Sequence, residues 1–116
     1  MAKMILVGLV EPTSPEQEET FRERYLGNHI QDIANCPGFL SGTVYRLDTP
    51  HDDFPVVSRY LTIYEVDAES AQAASDKLHA YVADPNAFPG RLSSEGSLKI
   101  VGSGWYRFER AHHTRG

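Results

Sequence analysis

Read by the spacing of its apolar residues, the chain falls into strand, helix, strand, strand, helix and strand, a succession that occupies nearly all of its 116 residues. Met once and without internal repeats, that order is the split βαβ pattern of a ferredoxin-like α+β sandwich (βαββαβ). The expected fold is a four-stranded antiparallel sheet with two helices on one face. Such a sheet covers one of its own faces and leaves the other, carrying Leu61 and Ile63, without helices to bury it. A wet apolar sheet face would exceed the patch size usual for monomers, so a homodimer is expected.

The elements carry their own punctuation. Lys3 to Val10 is apolar on both alternating faces, as a central strand would be. Ser14-Pro15-Glu16-Gln17 reads as an N-cap, a proline in the first helical position and a capping-box glutamine, and the helix should run to about Ala34. Asn35-Cys36-Pro37-Gly38 ends it. Phe39 to Leu47 alternates as a strand, with Gly42 a candidate bulge, and Val57 to Val66 is the clearest strand of all. Asp67 is the expected cap of a second helix from about Ala68 to Val82, whose narrow stripe of Ala71, Ala74, Leu78 and Val82 implies close approach to the sheet. Asp84 to Ser97 is too long for a simple connection and is expected to gate the site or reach a partner, with Phe88 and Leu92 as apolar plugs. Leu98 to Glu109 is the last strand, bent near Gly102 and Gly104. The expected organisation is one domain over residues 1–110 and a flexible tail over 111–116.

Composition narrows the function classes. A net charge of -5, with 11 Lys and Arg scattered rather than grouped, lacks the basic stripe that tracks phosphates, so no nucleic-acid partner is expected. Cys36 is the only cysteine, which precludes an intramolecular disulfide and fits a reducing compartment. No positive neighbour would activate it, and an inert structural thiol is the reading. No apolar run has the length of a membrane span or the layout of a signal peptide. A cytoplasmic protein without a membrane partner is expected.

Chemistry concentrates on the first helix and third strand. At 100° per residue the first helix buries Phe21, Tyr25, Leu26, Ile30 and Ile33, with His29 inside that stripe and Arg22 on the same line. His29 is either a satisfied core histidine or a neutral imidazole poised for proton transfer, and Arg22 either snorkels or offsets negative charge. The polar groups opposite favour the functional choice. Tyr60, Thr62 and Tyr64 share one face of the third strand, and Trp105 stands on the last; a plain core would prefer Val, Ile and Leu. An aromatic cross-strand cluster is the alternative, and periodicity leaves open which face of the strand meets the helices. His79 lies at the edge of the second helix's stripe, within reach of a pocket mouth. His51-Asp52-Asp53 is a crowded loop cluster and His112-His113 lies on the tail, so no metal is expected. Ser94 and Ser97 lack a nucleophile elbow, and no phosphate loop or dinucleotide fingerprint occurs.

Tyr25 and His29, then Pro37-Gly38-Phe39, then Tyr60-Leu61-Thr62-Ile63-Tyr64-Glu65 resemble the dimeric α+β barrel superfamily, EthD-like branch, over nearly the whole chain. The resemblance implies that two subunits pair their sheets into one barrel with the helices outside, and that a ligand binds in each subunit between sheet and helices. It carries over one site residue, His29, with Tyr25 beside it. The superfamily includes cyclases, isomerases, cofactor-free monooxygenases, haem-degrading enzymes and stress proteins. Cyclase relatives place a further histidine after the second helix, where this chain reads Asp84-Pro85-Asn86-Ala87-Phe88; its absence counts against a cyclase and also removes the most obvious haem ligand unless His79 serves. Together these readings predict a cofactor-independent enzyme acting on a small aromatic or polyketide-like compound by proton transfer. His29 and Tyr64 would be catalytic, and Arg22, Tyr25, Tyr60, Thr62, His79, Phe88 and Trp105 would bind substrate. The alternatives are a cofactor-free quinone-forming monooxygenase and a non-catalytic binder of an apolar ligand.

Overall fold

A computed structural model describes residues 2–86 and 96–114. The expected gate lies largely outside the described residues, and so do Phe88 and Leu92. Strand β1 (Ala2–Pro12) leads through a 3-10 turn (Pro15–Gln17) into helix α1, residues 18–34. Strands β2 (Phe39–Arg46) and β3 (Tyr60–Ala68), helix α2 (Ala71–Ala83) and strand β4 (Leu98–Arg107) follow. The strands form one four-stranded sheet in the order β2-β3-β1-β4, antiparallel throughout. This is an α+β fold.

The alternation of β3 decides the faces. Tyr60, Thr62, Tyr64 and Val66 are buried, while Leu61 and Ile63 are half-buried on the opposite side. The first set packs with Phe21, Tyr25, Ile30 and Ile33 of α1 and Ala74 of α2, so both helices lie on that face. Small Ala74 lets α2 approach closely, and the Tyr81 hydroxyl ties the two helices by donating to the Asp32 carbonyl at 2.6 Å.

Helix α1 is not a uniform α-helix. Its middle, Arg22–His29, is π-helical, and the Ile30 N–H donates to the Tyr25 carbonyl five residues back. A wider turn advances less per residue, so side chains four apart stay in line. Phe21, Tyr25 and His29 accordingly stack in series, with centroid separations of 5.0 and 5.2 Å.

Several boundaries differ from the sequence expectation. Asp67 does not cap α2, because its N–H bonds the Gly38 carbonyl at 2.9 Å and its residue stays paired in β3. Ser70 is the cap instead, its hydroxyl accepting from the Ala73 N–H at 3.0 Å. At the start of the first helix, Ser14 makes no side-chain cap bond, and its carbonyl takes the Gln17 N–H. Strand β3 begins at Tyr60, not Val57, which lengthens the β2–β3 connection to residues 47–59. The bulge in β2 falls between Phe39 and Ser41 rather than at Gly42. Gly42 serves packing: a Cβ there would stand 3.0 Å from the Tyr64 ring and 3.2 Å from Ile30. A second irregularity, opposite Leu9 and Val10, bends β4 beside Gly102.

Candidate functional site

Between the sheet and the helices lies a cavity of about 190 Å³. Leu6, Gly8 and Val10 of β1 form its floor, Tyr64 one wall, and Leu98, Ile100 and Ser103 of β4 the other. Tyr25, His29 and Ile33 of α1 and Leu78 of α2 roof it. Gly8 makes the floor deep, since it faces the covered side opposite Thr62 and Ser103 and contributes no side chain.

Its polar groups form a connected set. The Tyr25 hydroxyl and Thr62 Oγ1 share a buried hydrogen bond at 2.8 Å, and the Tyr64 hydroxyl bonds Tyr25 in turn. Leaving any of these hydroxyls buried without a partner would cost about 1–3 kcal/mol, which explains why they occur as a chain. Burial raises the Tyr64 pKa, and the neighbouring Tyr25 raises it further, so Tyr64 stays a protonated donor. Tyr25 is also raised by burial, but Thr62 and Tyr64 would both stabilise its phenolate and partly offset that. Of the two phenols, Tyr25 is the easier to ionise.

His29 lies against the Tyr25 ring, tilted 19° from parallel. Burial lowers its pKa below the ordinary histidine value, and Asp32 one turn on opposes that shift in part. The imidazole is therefore neutral at neutral pH and able to accept a proton. A neutral base and a protonated phenol on one apolar cavity can take a proton from a ligand and hold the oxygen on which charge develops.

The remaining expected site residues lie elsewhere. Thr62 is fully buried behind Tyr25 and acts on the cavity only through it. Tyr60 is buried too, but its hydroxyl accepts from Arg22 Nη1 at 2.9 Å, forming a separate pair at the start of α1. Arg22 is thus exposed at the helix start, as a snorkelling side chain would be, and does not line the cavity. Trp105 pairs with Leu6 across the sheet and meets Phe39 edge-on at 6.3 Å, beyond the cavity wall. His79 is exposed on α2 and does not line the cavity, because the stripe of Ala74 and Leu78 turns it outward. Phe88 lies outside the described residues. Among those described, no group of three or more His, Cys, Asp or Glu is placed to hold a metal ion. Cys36 is buried, and burial raises its thiol pKa despite Lys77 nearby. Sequence reasoning missed Gly8 and Ser103. Their only signal was parity: both sit on the face of their strands that carries Val10 or Trp105.

No family profile matches the sequence, and no curated protein sequence matches it significantly. Among solved structures, the chain is similar to HapK from Hahella chejuensis, with a TM-score of 0.64 and 9% sequence identity. The match covers 97% of this chain and 99% of that one. At that identity the likeness concerns fold alone, and with the four-stranded antiparallel sheet it fits an α+β ferredoxin-like fold.

Proposed function

We propose that the chain is a cofactor-independent enzyme that moves a proton next to a carbonyl or phenol of a small ring-bearing compound, as an isomerase, cyclase or lyase. The carrying observation is the convergence of His29, Tyr64 and Tyr25 on one apolar cavity. His29 is the base, Tyr64 donates to the substrate oxygen, and Tyr25, held by Thr62, orients Tyr64. The finer fold assignment belongs to the same proposal: a homodimer of the dimeric α+β barrel type, EthD-like branch, with the open sheet faces paired.

Cavity size favours the smaller end of the substrate range. About 150 Å³ accommodates benzene in an engineered apolar cavity, so about 190 Å³ suits a single substituted ring better than a fused polyketide. The test is a binding and turnover screen of monocyclic phenols and cyclic ketones, followed by NMR of the His29 ring. Saturable shifts at His29 together with turnover lost in His29→Ala support the proposal. A bound compound with turnover intact in His29→Ala sinks it. Oxygen uptake during turnover would instead assign the quinone-forming monooxygenase.

A further inference from the structure

The 47–59 connection presents an aromatic side chain in an ordered but uncovered form. The Phe54 N–H bonds the His51 carbonyl at 3.1 Å, closing a turn in which Asp52 takes φ 49°. The His51 and Phe54 rings stack 10° from parallel at 5.8 Å. Phe54 is nonetheless 66% exposed, and Val57 of the same connection is 61% exposed. Asp48, Asp52 and Asp53 flank it. The turn's own hydrogen bond and the ring stack reduce the freedom that this apolar anchor loses on docking.

A groove that fits it lies at the other end of the same molecule. Met4, Ile5, Leu40, Val66, Tyr106 and Phe108 line a cleft of about 240 Å³, with Lys3, Arg107 and Glu65 at its polar margin. Leu40, Tyr106 and Phe108 are each more than half exposed. The arm packs beside Leu9 and Leu61, and the groove beside Ile5 and Glu65, which are opposite ends of the open sheet face. A two-fold axis lying between two facing sheets and perpendicular to their strands brings each arm over the other copy's groove. Both contacts then form at once, as a closed two-fold interface requires.

We infer that the 47–59 arm is the clasp of a homodimer, seating Phe54 of each copy in the Ile5–Leu40–Tyr106 groove of the other, with Asp52 and Asp53 against Lys3. This rests on the open-face dimer proposed above and adds its contact and register. The two stand or fall separately in one experiment. Dimer Kd is measured by sedimentation for the wild type, Phe54→Ser, Asp52→Lys/Asp53→Lys, the same pair combined with Lys3→Glu, and Ile63→Lys. The expected result is a wild-type dimer whose Kd rises roughly thirtyfold or more in Phe54→Ser. The acidic-to-basic pair should weaken it similarly, and the combined charge swap should restore it. A dimer broken by Ile63→Lys but indifferent to Phe54→Ser overturns the clasp and leaves the open-face dimer standing. Weakening without rescue overturns the groove as the arm's seat. A wild-type monomer at micromolar concentration overturns both.

Discussion

At the residue scale, His29 and Tyr64 differ from ordinary histidine and tyrosine in directions that can be measured. The folded pKa of His29 lies below 6.5, so an unfolded chain binds a proton there that the folded chain does not. Stability associated with His29 is present above the ordinary value and is lost as pH falls below it. His29→Gln should therefore lose less stability than the wild type between pH 7 and 5, read as the shift in urea midpoint. For Tyr25 and Tyr64 the folded values lie above 10.0, so folded-state protection is present below pH 10 and is lost as pH rises past it. Absorbance titration of the native protein past pH 10 should leave these two phenols un-ionised, and Tyr64→Phe should remove one late-titrating group. His29 and Tyr25 were legible in the sequence because polar groups on an apolar helical stripe stand out. The separate pairing of Arg22 with Tyr60 was not, since a stripe specifies a face and not the partner reached across it.

At the scale of elements, the order of strands and helices follows from periodicity, and so does the set of residues α1 buries. The π-helical turn does not: Arg22–His29 contains Gly27 but no proline, and a lone glycine inside a helical pattern does not announce a π turn. It sets how squarely the Tyr25 and His29 rings stack. The ends of β3 and α2 were misread for a related reason: Asp67 is a good cap by type, but its backbone is already committed to Gly38. Glycines separate into two kinds. Gly42 lies under Tyr64 and Ile30, where a Cβ would force both buried side chains to give by a few tenths of an ångström, so Gly42→Ala should destabilise by about 1 kcal/mol. Gly27, with nothing within 4 Å of a built Cβ, should gain up to about 1 kcal/mol as Gly27→Ala. Chemical denaturation of the two variants checks both signs. Gly8 belongs to the cavity: a Cβ there makes only ordinary contacts, at 3.8 and 3.9 Å, so an alanine is accommodated and takes space from the floor. Gly8→Ala should keep the wild-type circular dichroism and weaken binding of monocyclic phenols.

At the scale of the whole molecule, the single chain is flatter than a compact domain. Its extents are 44 × 41 × 24 Å and its radius of gyration is 15.4 Å, against about 13 Å expected for a chain of this length. The thin dimension is one sheet plus one helical layer, and Tyr45, Val101 and Tyr106 are exposed on the strands. The one-sided burial was legible from the count of elements, because two helices cover one sheet face and no more. The arm was not, since a proline-bearing polar loop gives no sign that Phe54 will be held outward. If the cavity is the working site, its most direct test is deuterium incorporation from D2O into monocyclic phenols and cyclic ketones, followed by mass spectrometry without added cofactor. The prediction is protein-dependent exchange at a C–H beside the oxygen-bearing carbon, reduced at least about a hundredfold in His29→Ala. Exchange that persists in His29→Ala, or its absence from every compound that binds the cavity, would contradict proton transfer at His29.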